Sequence, residues 1–531
     1  MKTLHLITLS VLASVAHCYS PCVKRNVRGD SQPDFMVCVC NATYCDDFPP
    51  LGALNADSAA VYVSSSAGKR FERSTVPWTN AKSRKTNKLR RKDAIAKQAH
   101  ITPSVQMQSI IGFGGAFTDS AGINLASLDN ATQELLMQSY YGPNGLQYSL
   151  GRVPMASCDF STHEYSYDDY SGDFALQNFS LTMEDYQYKI PYIKRAVELT
   201  GGDMKLFASP WSAPGWMKTN GHMKGGGKLK GFPGGVYDKT WAQYFVRFLE
   251  EYNKNGVNFW GLTAQNEPTT GADINYGWQT MFFDAESERD FIKNSLGPAL
   301  HNSTLGKNIA LMTMDDQRFM LPGWADVVFD DDLANSYTAG IAIHWYEDWL
   351  APSSFLADTH KSWPDKFMLA TEACSGYMIV HGPSLGAWTR ADDYAHDIIV
   401  DLNNWVAGWT DWNIALDMKG GPNWVNNVVD APIIIDSSKG EFYKEPMFYA
   451  MGHFSKFIRP NSVRIGLTMD SDSFLEGVAF STPTSQRVYV IRNAHASDTY
   501  DFAIEAADRP GQVLHVSIEP SSITTIVWDK A

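Results

Sequence analysis

Short apolar runs recur along the chain from Ser109 onward, and amphipathic stretches of helical length separate them. In one such stretch, residues 239–253, the apolar Trp241, Tyr244 and Phe248 recur at helical spacing. This alternation is typical of βα units. The pattern predicts an eight-stranded α/β barrel with strands near residues 110–115, 148–154, 205–209, 258–264, 309–314, 340–344, 367–371 and 406–410.

The pattern changes after Trp412, where Gly and Pro residues punctuate short apolar runs such as residues 433–435. From Arg464 to the last residue, apolar and polar positions alternate, as in residues 487–492 and 523–528. Alternation with a period of two is typical of antiparallel strands that bury one face. The sequence therefore predicts a separate C-terminal β domain.

Two glutamates directly follow predicted barrel strands. An apolar run at residues 257–262 leads into Thr-Ala-Gln-Asn-Glu-Pro at 263–268, and residues 367–371 lead into Glu372. Both Glu267 and Glu372 are therefore expected at the C-terminal face of the barrel, where barrel enzymes place their catalytic groups. Two carboxyl groups are what retaining glycoside hydrolysis requires. The alternative is that each glutamate only caps a following helix.

Composition narrows the class of protein. The 531 residues, 13% of them aromatic, are more than one barrel needs, so an added domain is expected. The net charge of −14 argues against nucleic-acid binding and fits work in an acidic lumen. Against this balance, residues 82–97 are strongly basic, with Asp93 as their one acid. This segment is either a solvated, protease-exposed loop or a patch for anionic lipid.

The N-terminal residues have the features of a secretory signal peptide: one Lys, an apolar run and then small residues, with cleavage at Ala16 or Ser20. The run is too short to span a membrane, so a soluble mature protein is expected. Four cysteines follow closely, and their spacing allows two local disulfides in any pairing or a zinc site. We expect Cys158 and Cys374 to be buried free thiols. N-glycosylation sequons occur at Asn41, Asn130, Asn178 and Asn302.

Several motifs occur in a fixed order along the chain: Phe-Gly-Gly-Ala-Phe-Thr-Asp at 113–119, Arg-Val-Pro-Met-Ala-Ser-Cys-Asp-Phe at 152–160, Ala-Ser-Pro-Trp-Ser-Ala-Pro-Gly-Trp at 208–216, Asn-Glu-Pro at 266–268, His-Trp-Tyr at 344–346, Glu-Ala-Cys at 372–374 and Gly-Trp-Thr-Asp-Trp-Asn at 408–413. Together they resemble the glucosylceramidases of glycoside hydrolase family 30. The resemblance extends from Cys22 almost to the C-terminus. Asn-Glu-Pro alone occurs in several barrel glycosidase families, so the order of the motifs carries the assignment.

The resemblance implies a TIM barrel with an appended antiparallel β-sandwich and a small disulfide-bearing N-terminal sheet. The implied boundaries are a signal peptide at 1–20, the small sheet at 21–48 with 414–445, the sandwich at 49–107 with 462–531, and the barrel at 108–413 with 446–461. The implied disulfides are Cys22–Cys38 and Cys40–Cys45.

The resemblance also assigns roles to residues. Glu372 is expected to be the nucleophile, held ionised by Arg152, and Glu267 the acid/base. Asn266 is expected to bond the sugar 2-hydroxyl, and His344 to orient its neighbours from behind the site. The other expected substrate-binding residues, for the sugar or for the mouth of the pocket, are Asp119, Trp211, Tyr276, Trp278, Tyr346, Trp412 and Asn427. A tryptophan is more often a core residue than a sugar platform, and we assign Trp409 to the core.

We expect no metal site, because no His pair has ligand spacing near a carboxylate cluster, and no cofactor. The predicted function is hydrolysis of glucosylceramide to glucose and ceramide in the secretory pathway or lysosomal lumen. The expected partners are an anionic phospholipid surface and a saposin-like activator. The alternatives are another family 30 β-glycosidase specificity and a glycolipid-binding paralogue that has lost catalysis.

Overall fold

The computed structural model describes residues 19–27, 35–81 and 94–531. The predicted signal peptide lies outside the described residues except for Tyr19 and Ser20. The basic segment at 82–97 also lies outside them, except for residues 94–97.

Eight parallel strands pair in one continuous cycle and close into a barrel. In chain order they are β1 (Gly112–Ala116), β2 (Leu150–Met155), β3 (Lys205–Pro210), β4 (Gly261–Thr263), β5 (Ala310–Gln317), β6 (Gly340–His344), β7 (Phe367–Glu372) and β8 (Val406–Asn413). All of the predicted barrel strands are present. Inside the barrel, bulky apolar side chains such as Leu150, Phe207 and Met312 form a packed cluster.

The largest difference from the predicted strands is at residues 258–264, where β4 begins only at Gly261. The preceding apolar side chains serve other contacts. The Phe259 ring lies 4.9 Å from that of Phe248 in the adjacent helix, and Trp260 lies 5.7 Å from Phe367. A uniformly apolar run does not reveal which of its residues pair in a sheet.

Helices cover the barrel, and the predicted helix at 239–253 is confirmed by Val236–Lys254, which buries Trp241, Tyr244 and Phe248. The other α-helices of the described residues are Asp119–Ala126, Asn130–Tyr141, Ile190–Leu199, Ala285–Phe291, Gly297–Asn302, Gly323–Phe329, Asp332–Tyr337, Ser354–Ser362, Trp388–Asn403 and Pro446–Ser455. In the part of the chain described here, no helix is both long and apolar enough to cross a membrane.

The β-sandwich domain combines the C-terminal strands with three strands that precede the barrel, as expected. In order of pairing its strands are Val463–Met469, Leu475–Ser481, Gln486–Asn493, Ser522–Asp529, Ser58–Ser65, Glu72–Asn80, Gln512–Ile518, Tyr500–Ala506 and Ile95–Ser109. The pairing closes on itself through the long strand Ile95–Ser109. That strand runs parallel to Tyr500–Ala506, and the other pairs are antiparallel. An apolar core that includes Trp78 and Trp528 fills the space between the strands.

The small N-terminal sheet is formed by the strands Lys24–Asn26, Met36–Asn41, Glu441–Lys444, Ile433–Asp436 and Leu416–Asp417. The Cys22–Cys38 and Cys40–Cys45 disulfides are both present, which confirms the implied pairing. Cys158 and Cys374 are buried free thiols, as expected. The domain boundaries themselves stay a prediction.

Among the sequon asparagines, Asn130, Asn178 and Asn302 are exposed, and Asn41 is half-buried. Trp409 is fully buried, as expected of a core residue.

Candidate active site

A cavity of about 340 Å³ opens at the C-terminal ends of the barrel strands. The predicted site residues that line it are Trp211, Asn266, Glu267, Trp278, Tyr346, Glu372, Trp412 and Asn427. The other four, Asp119, Arg152, Tyr276 and His344, are not among its lining residues. The pocket therefore brings together residues that follow β3, β4 and β6 and residues at the C-terminal ends of β7 and β8.

Glu267 follows β4 and has a left-handed backbone, with φ of 40°. Its N–H donates to the carbonyl of Asp315 at 2.9 Å, and the turn Pro268–Ala272 begins directly after it. A residue other than Gly in this conformation costs on the order of 1–3 kcal/mol, and such strain clusters at functional sites. Oε1 of Glu267 accepts from Gln317 at 3.3 Å, and Oε2 accepts from the Tyr276 hydroxyl at 3.5 Å.

Glu372 ends β7, and a guanidinium and a phenol bind its two carboxylate oxygens. Nη1 of Arg152 donates to Oε2, and the Tyr346 hydroxyl donates to Oε1 at 2.8 Å. Burial and the charge of Glu267 raise the pKa of Glu372 above its usual value, and the charges of Arg152 and His344 and the Tyr346 hydrogen bond limit this rise. These groups favour the ionised carboxylate.

Arg152 lies in β2 and is completely buried beneath the cavity. Its Nη2 donates to Asn266 at 2.7 Å and to Asp315 at 2.9 Å. Its guanidinium carbon lies 5.0 Å from the ring centre of Trp211 and 5.3 Å from that of Trp412, so the cation also contacts two aromatic faces. Arg152 thus connects Glu372 to Asn266, the residue beside Glu267.

Asp315, a buried carboxylate in β5, was not among the predicted site residues. It accepts from Arg152, from His344 at 3.0 Å, and from the hydroxyls of Thr263 and Thr371 at 2.7 and 2.6 Å. Burial would raise the pKa of Asp315, but Arg152 and His344 outweigh burial and lower it. A signal was available, because Asp315 directly follows the strand predicted at 309–314, in the position that Glu267 and Glu372 occupy on their strands.

Asp119 does not lie where it was predicted. Its carboxylate is buried outside the cavity lining, 3.2 Å from Nζ of Lys189, and accepts from Ser161 and from the Tyr165 hydroxyl at 2.9 Å. Asp159 lines the cavity instead and accepts from the Asn427 amide at 2.9 Å. Burial raises the pKa of Asp159 to about 7. Asp159 belongs to the motif at 152–160, so the sequence contained this candidate.

Aromatic rings form the walls of the pocket. Trp211 and Trp412 stack with centres 5.1 Å apart and planes 21° apart, and Tyr276 contacts Trp278 at 4.5 Å. Tyr276 is half-buried and reaches Glu267 from beside the cavity.

One set of donor atoms in the pocket meets the distance requirement of a metal site. Single donor atoms of Glu267, His344 and Glu372 lie within 4.8 Å of one another. However, both His344 nitrogens are already within 3.0 Å of carboxylate oxygens of Glu267 and Asp315. A ring that donates to both has no free lone pair for a metal.

Comparison with known proteins agrees with this geometry. Residues 110–458 match the glycosyl hydrolase family 30 TIM-barrel domain, and residues 461–526 match the glycosyl hydrolase family 30 beta sandwich domain. The chain is 48% identical over 494 residues to a Caenorhabditis elegans protein provisionally named glucosylceramidase 4, with 93% of each chain covered. It is 44% identical to the lysosomal acid glucosylceramidase of Mus musculus, over 91% of this chain and 92% of the mouse protein.

Among solved structures, SrfJ from Salmonella typhimurium superposes with a TM-score of 0.79 at 28% identity, over 89% of this chain and 100% of SrfJ. The two domain matches together cover most of the chain, in the order that the fold shows. The chain therefore belongs to glycoside hydrolase family 30.

Proposed function

We propose that this glycoside hydrolase is a retaining β-glucosidase that converts glucosylceramide to glucose and ceramide in an acidic compartment. The observation that carries the proposal is that a carboxylate oxygen of Glu267 and one of Glu372 lie within 4.8 Å of each other. Retaining enzymes hold their two carboxyl groups about 5–5.5 Å apart, and inverting enzymes hold theirs about 6.5–9.5 Å apart. The short separation leaves no room for a water between carboxylate and sugar, which supports direct attack by a carboxylate.

In the first step Glu372 attacks the anomeric carbon and forms an ester bond to the sugar. The bond from that carbon to the ceramide oxygen breaks, and Glu267 gives its proton to the departing oxygen. In the second step water attacks the same carbon, Glu267 takes a proton from the water, and the ester bond to Glu372 breaks. Glucose leaves, and both carboxyl groups return to their starting states.

The hydrogen bonds support this division of roles. Glu372 is bound by Arg152 and Tyr346, which favour an anion able to attack. The side chain of Glu267 is 14% exposed and lines the cavity that the leaving group must occupy. An acid that protonates a leaving group must be within reach of that group.

We assign sugar recognition to polar groups around the two tryptophans. Asp159 and Asn427 form a hydrogen-bonded pair in the cavity wall, which suits two adjacent sugar hydroxyls. Asn266 lies beside Glu267, where an amide can bond the 2-hydroxyl as the transition state forms. Trp211 and Trp412 offer flat apolar faces to the C–H groups of a pyranose. Asp159 takes the role that the sequence analysis gave to Asp119.

The mouth of the pocket supports a lipid aglycone. Phe319 lines the cavity and is 39% exposed, and Trp349 and Leu350, which follow β6, are 72% and 52% exposed. After β7, Ile379 is 95% exposed. Trp349 and Leu350 closely follow Glu347 in the chain, and Ile379 closely follows Tyr377, and both Glu347 and Tyr377 line the cavity. Exposed apolar side chains so near the lining residues suit a ceramide tail and the surface of an anionic membrane. A lysosomal location is part of this proposal, in line with the mouse relative's name. A saposin-like activator is also part of the proposal.

Two alternatives remain, and a separate observation supports only the first of them. The chain is 28% identical, over 81% of its length, to an endo-1,6-beta-D-glucanase of Aspergillus fumigatus, so another β-glycosidase specificity is the second candidate. A glycolipid-binding paralogue without catalysis is the third. The paired glutamates, with Arg152 and Asn266 in bonded positions, argue against the third.

The test is an assay of the purified secreted protein on glucosylceramide, beside its galactosyl and xylosyl analogues and a β-1,6-linked glucan. The assay is run near pH 5 with vesicles of anionic phospholipid. We expect glucosylceramide to be hydrolysed with the highest kcat/KM. Preference for the glucan would establish the second candidate. Absence of turnover on every substrate would establish the third.

A further inference from the structure

A buried ion cluster lies beside the active site and has more acids than bases. Arg318 follows β5, Asp348 follows β6, and Asp397 and Asp401 lie one turn apart on the helix Trp388–Asn403. We call these four residues the Arg318 cluster. Nη1 of Arg318 lies 2.6 Å from Oδ2 of Asp348 and 3.7 Å from Oδ1 of Asp401. One oxygen of each aspartate lies within 4.8 Å of the others.

One guanidinium cannot neutralise three carboxylates. Asp397 and Asp401 are 7% and 3% exposed, so water screens their repulsion little. Oδ1 of Asp348 and Oδ1 of Asp401 are buried and accept no hydrogen bond within the described residues. An unpartnered carboxylate oxygen close to a second carboxylate is where a shared proton is stable.

Electrostatics agrees with this geometry. Burial, together with the charges of Asp397 and Asp401, raises the pKa of Asp348 to about 10. Burial also raises the pKa of Asp401 well above its usual value. The other titratable groups that face the cluster are Tyr377, near Asp348 and Asp397, and His396, near Asp397. Of these only His396 adds positive charge, and it is bound to Glu476.

The cluster is connected to both catalytic glutamates through neighbouring residues. Gln317, next to Arg318, donates to Oε1 of Glu267 and accepts from the N–H of Glu347, both at 3.3 Å. Nη2 of Arg318 donates to the carbonyls of Asp348 and Ala351 at 2.9 and 3.1 Å. The segment that Arg318 holds in this way also carries Tyr346, which donates to Glu372.

We propose that the Arg318 cluster is a positioning device: by retaining a proton among its aspartates, it holds the segment 345–351 so that Tyr346 stays bonded to Glu372. When the segment moves away, the aspartates are free to ionise at their ordinary pKa, so rising pH favours release of the segment even while the closed cluster retains its proton. The cluster therefore makes activity higher in acid, without any change in the protonation of the catalytic groups themselves. It rests on the proposed function only where activity is the readout.

The first experiment measures stability and does not depend on activity. A carboxyl whose pKa is raised in the folded state costs stability as pH rises above its unfolded pKa of about 3.9. Asp401→Asn resembles the protonated form and does not titrate. We expect its thermal midpoint to equal that of the wild type at pH 4.5 and to exceed it by about 2 °C or more at pH 7.5. Asp358→Asn, which changes an exposed aspartate of the helix Ser354–Ser362, is the matched control and should show no such gain.

The second experiment measures kcat/KM on a dinitrophenyl β-glucoside, whose leaving group departs without a proton from Glu267. Between pH 5 and pH 7.5, we expect kcat/KM of the wild type to fall by about threefold or more beyond the fall seen in Asp401→Asn. Asp397→Asn, which retains an acceptor for Trp409, should act in the same direction. Parallel pH profiles of stability in the wild type and both variants would overturn the proposal. Inactivity of every protein on this substrate, with the stability shift present, would instead refute the proposed function alone.

Discussion

Nδ1 of His344 lies 3.0 Å from Oε1 of Glu267, although the two residues are 77 positions apart in the chain. Burial lowers the pKa of His344, but the carboxylates of Glu372, Asp315 and Glu267 outweigh burial and raise it to about 10. The imidazole is therefore charged in acid and donates to Glu267 and Asp315 at once. This bond orients Glu267 toward the cavity.

His344→Gln is expected to weaken proton delivery by Glu267. On an unactivated alkyl glucoside, kcat/KM should fall by about 100-fold, within the range that general acid catalysis contributes. On the dinitrophenyl glucoside the fall should be smaller, since that leaving group needs no proton. His515→Gln, at an exposed histidine of the β-sandwich strand Gln512–Ile518, serves as the control. Equal losses on both substrates would show that His344 does not act through Glu267.

The two glutamates are expected to fail in different ways. Glu372→Gln removes the attacking atom, so no glucosyl-enzyme forms on any substrate. Glu267→Ala removes only proton delivery, so it retains glucosylation by a dinitrophenyl glucoside, and added azide accelerates turnover to β-glucosyl azide. In the wild type, a 2-deoxy-2-fluoro glucoside with a good leaving group should label Glu372, as read by peptide fragmentation. Label on Glu267 would reverse the two roles.

Asp159 and Asp119 provide a matched pair of substitutions. Asp159→Asn is expected to lower kcat/KM by about 10- to 100-fold, the worth of about two hydrogen bonds, with an unchanged thermal midpoint. Asp119→Asn leaves Lys189 partly unpaired in a buried site and should cost on the order of 3 kcal/mol of folding free energy. Measuring kcat/KM and folding stability for both variants decides which aspartate binds the sugar. The assignment to Asp159 would be wrong if Asp119→Asn lost activity and Asp159→Asn lost stability.

His453 connects the barrel to the β-sandwich and gives stability a defined pH dependence. Its ring nitrogens lie 2.8 Å from the Thr525 hydroxyl and 2.9 Å from the Ser64 hydroxyl. Burial lowers the pKa of His453 from 6.5 to about 3, so in this window the unfolded chain binds a proton that the folded chain does not. Stability therefore falls as pH falls through the window.

Between pH 6.5 and pH 5 this single group is expected to cost the wild type about 2 kcal/mol. In His453→Gln this part of the dependence of folding stability on pH should be absent. Its stability at pH 7 should be lower than that of the wild type, because one hydrogen bond is lost. Denaturant unfolding at pH 5 and pH 7 measures the difference, with the exposed His515→Gln as the control. An unchanged slope in His453→Gln would contradict the prediction.

The sequence by itself determined the barrel, because alternation of apolar runs and amphipathic helices is a local property. Every predicted barrel strand is present, and Glu267 and Glu372 were found by their position after apolar runs. The shortened β4 escaped prediction because Phe259 and Trp260 are as apolar as a strand residue while they pack against neighbouring elements.

Only the tertiary structure decided which polar residues meet. Arg152 and Asp315 are separated by 163 positions yet share a buried hydrogen bond, and no local pattern predicts such a pair. Asp119 and Asp159 both belong to motifs that end barrel strands, but Lys189 and Tyr165 hold the first outside the cavity lining, and Asn427 bonds the second at the cavity wall. The reason is physical: a buried carboxylate needs specific donors, and the closure of the barrel determines which donors lie within reach.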